Sequence, residues 1–249
     1  MGTSKSYSAS VKGQPQWGNL SLSVTTSCGT GTVSTQNIGR ILSRYVNVIG
    51  GSSIAGRGGS KIGGSAGIRT AKHLGGFLGA FSASGGNLQN TLNEIGLSGL
   101  SGKPLNEVIN HLLEHCSGPS SSIDDVAAKA ASQKIFEELA ANAETIEQFE
   151  ANLQESLNKE GLEDILIRYF GYYIFEHLSV MFHEKLVIEK GKTHCDDLFR
   201  QIKDFITENL RNMNKTNPLN NINWHSNEAD RLIRNIQENI LEVFEGYES

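Results

Sequence analysis

The sequence predicts an all-α protein: a helical bundle with a disordered N-terminal tail and a glycine-rich, small-residue helical segment. Three observations carry that expectation. From residue 38 onward apolar residues recur at helical spacing, and no sustained alternation of the kind a half-buried strand needs interrupts them. Of the 27 glycines, 22 fall by Gly102, so the front of the chain follows a different compositional rule from the back. Charge divides at the same place: residues 1–102 carry eight Lys or Arg against the single acid Glu94, and the remainder carries 14 basic against 26 acidic residues. These contrasts predict three regions, a flexible tail over 1–35, a basic glycine-rich helical segment over 36–102, and an acidic bundle over 103–249.

Residues 1–35 are rich in Ser, Thr and Gly, with Pro15 and Trp17 as isolated punctuation, and read as disordered or ordered only by a partner. Met1 precedes Gly2, with Ser6 completing the M-G-x-x-x-[ST] pattern of N-myristoylation; that pattern is short and common. The first periodic stretch, "NIGRILSRYVNVIG", sets Ile38, Ile41, Leu42, Tyr45, Val46 and Ile49 on one helical face, and Gly50-Gly51 stops it. "GSSIAGRGGS" reads as a flexible hinge. "KIGGSAGIRTAKHLGGFLGAFSASGG" follows, a helix whose glycines each cost about 1 kcal/mol relative to alanine unless close packing recovers it. Lys61, Arg69, Lys72 and His73 interrupt its apolar surface and argue against a membrane segment.

The back half is helix after helix. "PLNEVINHLLEHC" has Pro104 at its start. "SSSIDDVAAKAASQKIFEELAANA" has a serine cap and first-turn acids. "TIEQFEANLQESLNKEG" ends at Gly161, and "LEDILIRYFGYYIFEHLSVMFHEKLVIEKG" is apolar on nearly every face, the mark of a central helix. "THCDDLFRQIKDFITENLRNM" and "SNEADRLIRNIQENILEVFEGY" are amphipathic and close the chain.

Chemical motifs are sparse. "EKGKTH" contains the end of a phosphate-binding loop, but the glycine required five positions before Gly191 is Leu186, and a helix stands where a strand is needed. His111 and His115 lie one turn apart beside Cys116, with His194-Cys195 available elsewhere; without C-x-x-C or H-E-x-x-H spacing they read as a helix C-terminal turn and not as a zinc site. His177 and His183 do not share a helical face, and nothing fixes Glu176 or Glu184 for acid–base work. Three scattered cysteines form no disulfide framework, and the absence of an apolar leader or span gives the expectation of a cytoplasmic protein. No catalytic residue, metal ligand or cofactor is expected. The basic front (Arg40, Arg44, Arg57, Lys61, Arg69, Lys72) offers contacts to phosphates, or equally to the chain's own acidic half.

The order of these features resembles the QatB family, associated proteins of bacterial Qat antiphage defence systems. The features are "MGTSKSYS", the tail with "GQPQWG", then "RILSRYV", the run "RGGSKIGGSAGIRTAKHLGGFLGAF" and an acidic helical half. The resemblance implies partners and no activity: an ATPase, a QueC-like enzyme and a TatD-like nuclease. QueC enzymes build a nitrile-bearing deazaguanine by ATP-dependent activation of a carboxylate, and QueC-like defence proteins conjugate a deazaguanine to an N-terminal glycine amine. It follows that Gly2 is the expected acceptor, or Gly13 or Gly18 if the tail is trimmed. Thr3, Ser4, Lys5, Ser6, Tyr7 and Trp17 are the expected partner-contacting residues. Two rivals stand beside this reading. One is a membrane-active effector built on the small-residue run, and the other a nucleic-acid-binding adaptor built on the basic front.

Overall fold

The computed structural model describes residues 15–211, 213, 224 and 226–248. Among them the chain forms eleven α-helices and two 3-10 turns, with no strand, as the periodicity predicts. The helices are α1 (Pro15–Ser27), α2 (Thr35–Val48), α3 (Ser52–Gly56), α4 (Ser65–Ala83), α5 (Leu88–Glu94) and α6 (Leu105–Ser117). After them come α7 (Ile123–Leu139), α8 (Ile146–Lys159), α9 (Leu162–Lys190), α10 (Lys192–Arg211) and α11 (Asn227–Glu245).

Helix boundaries follow local chemistry. Ser122 and Thr145 open α7 and α8 with reciprocal capping boxes, closed by Asp125 and Gln148. Ser34, Asn87 and Ser226 accept backbone N–H groups at the starts of α2, α5 and α11. Gly118 and Gly191 lie at positive φ just beyond α6 and α9, where an L-residue with a Cβ would be strained.

The 29-residue α9 is the axis, roughly 43 Å long at 1.5 Å per residue. It packs against α7, α10, α4, α11 and α1, which explains its near-continuous apolar sequence. Helix α4 lies across α6, α7, α9 and α11. One hydrophobic core runs through the described chain, from Leu20 and Val24 in α1 to Phe244 in α11, so the basic front and the acidic back bury their apolar faces in each other.

The glycines of α4 do what close packing requires. A Cβ on Gly67 would stand 3.0 Å from the Tyr173 ring, and Cβ atoms on Gly75 and Gly79 would fall inside the Trp224 indole. Trp224 is 7% exposed, so these two glycines are its seat.

Two expectations about the front are corrected. The region read as unstructured to residue 35 carries α1, which packs on α2 and α9 with Leu20 and Val24 buried, as is Cys28 just beyond its end. The segment read as a hinge carries α3, pinned to α11: Gln237 Nε2 donates to Ala55 O at 2.9 Å, and a Cβ on Gly56 would stand 2.6 Å from Glu238 Cα. In both cases tertiary packing overrides a composition of Ser, Thr and Gly.

Candidate functional site

The residues nominated by sequence do not converge. Gly2, Thr3, Ser4, Lys5, Ser6 and Tyr7 lie outside the described residues, as does Gly13. Trp17 is in α1, and its indole stacks on Phe182 of α9 with ring centroids 5.1 Å apart and planes 13° apart, so the ring is committed to this chain's own body. Gly18 is inside α1, so it cannot become a free amino terminus without dismantling the first turn of that helix.

The polar chemistry of the fold concentrates instead where α4, α7, α9 and α2 meet. Asp124, in the first turn of α7, is 8% exposed. One of its oxygens accepts from Ala66 N at 2.9 Å and Ser65 Oγ at 3.1 Å; the other accepts from Gly64 N at 3.3 Å and from the Tyr173 hydroxyl. Gly64 N also donates to Tyr173 Oη at 2.6 Å. A carboxylate from one helix thus fills the N-terminus of another, the place where backbone N–H groups and the helix dipole hold an anion. The position is already taken by the protein's own charge.

Beyond Tyr173 the cluster continues. Its ring stacks on His177 at 5.9 Å and 20°, and His177 Nδ1 shares a hydrogen bond of 2.9 Å with Tyr45 Oη. Tyr169 Oη donates to Gly67 O at 3.2 Å. The loop ahead of α4 closes over the imidazole: a Cβ on Gly63 would stand 2.8 Å from His177 Cε1 and 3.2 Å from Nε2. Burial lowers the His177 pKa despite the opposing charge of Asp124, so the ring is held neutral. Burial also raises Tyr169 and Tyr173 well above an ordinary phenol. Tyr45, Tyr169, Tyr173 and His177 are at most 1% exposed. This arrangement joins four helices: its hydrogen bonds run between elements and its groups are sealed from solvent, while His177 Nε2 is buried without a hydrogen-bond partner. Sequence reasoning found the two acids at the start of α7 but missed that Asp124 serves α4, a pairing across 58 residues with no local signal.

The other candidates resolve as follows. Asp125, next to Asp124, is pushed up by burial but held far below the ordinary carboxylate range by Arg69, Ser121 and Ser122, with Arg69 Nη2 at 2.7 Å. His115 lies over His73 with ring centroids 5.8 Å apart, and its pKa is lowered by burial and then by His73. Cys28, Cys116 and Cys195 are free and buried; burial pushes the Cys116 thiol up to about 12 and Cys195 to about 11. Among the described residues no group of three or more His, Cys, Asp or Glu is placed to hold a metal ion. Nor is any described helix long and apolar enough to cross a membrane.

The basic front meets the acidic back directly. Arg57 pairs with Glu238 at 3.4 Å, Arg69 with Asp125 at 2.7 Å and Lys72 with Asp230 at 2.9 Å. Half of the six cations the sequence offered for phosphates are thereby engaged with acids of the same chain.

Fold and polar cluster together define an all-helical protein whose buried ionisable groups hold helices together. Within that class the chain belongs to a known family: the family described as "Qat anti-phage system associated protein QatB" matches residues 56–244, most of its length. It is accordingly a component of an anti-phage defence system, with its partners inside that system. Neither the curated proteins nor the solved structures yield a significant match.

Proposed function

We propose that this chain is a non-enzymatic member of its defence system that presents its amino terminus as a substrate. In this reading the amine of Gly2, exposed once Met1 is removed, is the acceptor for a deazaguanine transferred by the QueC-like enzyme of the system. Residues 3–7 enter that enzyme's active site, and the helical body docks the partner proteins. The amine attacks the activated carboxyl carbon of the donor, an amide bond forms, and the activating group leaves. Glycine suits this step because no side chain crowds the attacking nitrogen.

The observation that carries the reading is the anchor at α1. Trp17 on Phe182, with Leu20 and Val24 in the core, fixes the chain from Pro15 onward and leaves Gly2 thirteen residues ahead of the first fixed helix. Thirteen residues span at most about 45 Å when extended, enough to enter a neighbouring protein while the body stays docked. Two further facts support it. The buried ionisable cluster is used for helix packing, and Gly18 lies within α1, which leaves Gly2 and Gly13 as the acceptors ahead of the folded body.

Co-expression with the QueC-like enzyme, followed by peptide mapping of the amino terminus, tests the proposal. A mass increment localised to Gly2 supports it; an unmodified Gly2 in cells that resist phage eliminates it.

A further inference from the structure

Two histidines that lie far apart in sequence meet at a cleft. His115, one turn from His111 on α6, sets its ring against His73 of α4, with ring centroids 5.8 Å apart and planes at 33°. Both side chains line a cleft of about 490 Å³ between α4, the end of α5 and the end of α6. Lys72, Glu94, Ile95 and Trp224 form further parts of its wall.

The tautomer of His73 follows from its hydrogen bond. His73 Nδ1 stands 3.1 Å from the backbone oxygen of His115. A carbonyl only accepts, so Nδ1 carries the hydrogen and the lone pair of the neutral ring is on Nε2. Metal-binding imidazoles are commonly held this way, with the second ring nitrogen donating to a backbone carbonyl. Neither His73 Nε2 nor a ring nitrogen of His115 has a hydrogen bond or ion pair among the described residues. Burial and the neighbouring His73 lower the His115 pKa, so this ring too is neutral at pH 7 and offers a lone pair.

Spacing and charge identify the ligand. Two imidazoles that share an ion, each nitrogen about 2.0–2.1 Å from it, hold their ring centres roughly 5–6.5 Å apart, depending on the angle at the metal. The observed 5.8 Å falls within that range. The cations beside His73 are already neutralised, Arg69 by Asp125 at 2.7 Å and Lys72 by Asp230 at 2.9 Å. Glu94 has no ion pair among the described residues and adds an uncompensated negative charge to the cleft wall. We propose that His73 and His115 together bind a divalent transition-metal ion of the kind imidazole favours, Zn²⁺ foremost, and so bridge α4 to α6. Two protein ligands leave the remaining positions to water, which makes the ion exchangeable and those positions open for a further ligand. The site stands apart from the amino terminus and does not depend on Gly2 being a substrate.

The test uses the full-length chain, freed of metal by a chelator and titrated with zinc chloride at neutral pH. Calorimetry gives stoichiometry and affinity, and NMR of the histidine rings reports which imidazoles bind. The expected result is one zinc ion per chain, with the ring signals of His73 and His115 shifting together. His73→Gln and His115→Gln should each weaken binding about tenfold or more. His111→Gln, on the same helix as His115 but outside the cleft lining, should leave it unchanged. Zinc should raise the unfolding midpoint of the wild-type and His111→Gln chains and not of the other two. Wild-type affinity in His73→Gln, or a loss of affinity in His111→Gln, places the ion elsewhere and overturns the proposal. So does a wild-type chain that shows no heat and no ring shift at millimolar zinc. Should a glutamine variant fail to fold, the wild-type ring signals decide alone: zinc bound with His73 unshifted overturns the site.

Discussion

Replacing Asp124 by alanine should be among the most damaging single changes available to this fold. The carboxylate is buried and accepts four hydrogen bonds, two from the backbone of the α4 N-terminus and two from side chains. Without it, Gly64 N still has Tyr173 Oη at 2.6 Å, and Ser65, exposed at the surface, can turn to water. Ala66 N and the Tyr173 hydroxyl have no such recourse. Two buried donors left unpaired at about 1–3 kcal/mol each, and an α4 terminus stripped of its anion, give a loss of about 3–5 kcal/mol. Against a typical stability of about 5–15 kcal/mol this removes a large fraction, and at about 2–4 °C per kcal/mol the midpoint falls by roughly 6–20 °C. Urea unfolding followed by the helical circular-dichroism signal measures the loss. Asp124→Asn, which keeps an acceptor but turns an amide N–H₂ toward other donors, should fall between the two. A loss below about 1 kcal/mol for Asp124→Ala would refute the assignment of this carboxylate as the long-range cap of α4.

Further expectations concern glycines, acid and thiols. Gly79→Ala drives a methyl into the Trp224 indole and should destabilise by about 1–3 kcal/mol despite the better helix propensity of alanine, with a red shift of tryptophan emission. Gly18→Ala, where nothing stands within 4 Å, should stabilise by about 0.5–1 kcal/mol; opposite signs in one unfolding assay check both. His177 is buried neutral with its pKa lowered, so below about pH 6.5 the unfolded chain gains a proton that the folded chain resists. Stability should then fall with falling pH by up to about 1.4 kcal/mol per unit from this residue, and His177→Gln should flatten the slope between pH 6.5 and 5. All three cysteines should react with Ellman's reagent only at the rate of unfolding, because each thiol is buried; labelling within seconds of mixing would contradict their placement.

The back half of the fold was legible because its signals are local. Ser122 and Thr145 open helices, Gly161 and Gly191 separate them, and a stretch over residues 162–187 with apolar residues on nearly every helical face announces the central α9. Helix α1 escaped because its inward residues, half-buried Trp17 and buried Leu20 and Val24, are set among Ser and Thr residues of poor helix propensity; only Pro15 at the first position and the 3-4-4 spacing that continues to Cys28 hinted at it. The small residues of α4 correctly demanded a close neighbour, but Trp224 is 145 residues away and nothing near Gly79 names it. The polar cluster was hidden for the same reason. Asp124, Tyr173, His177 and Tyr45 come from three helices, and only the folded chain shows that they share hydrogen bonds and ring contacts. Of the six cations that the charge division left open between phosphate and self, Arg57, Arg69 and Lys72 pair with acids of the chain's own acidic half.

Mass analysis of the amino-terminal peptide from chain produced together with the QueC-like enzyme that the proposal invokes is the most direct test of the central claim. The account predicts loss of Met1 and a deazaguanine-sized adduct on the Gly2 amine, absent when that enzyme is inactivated. A bare Gly2, or an adduct elsewhere, in a system that still blocks phage would contradict it.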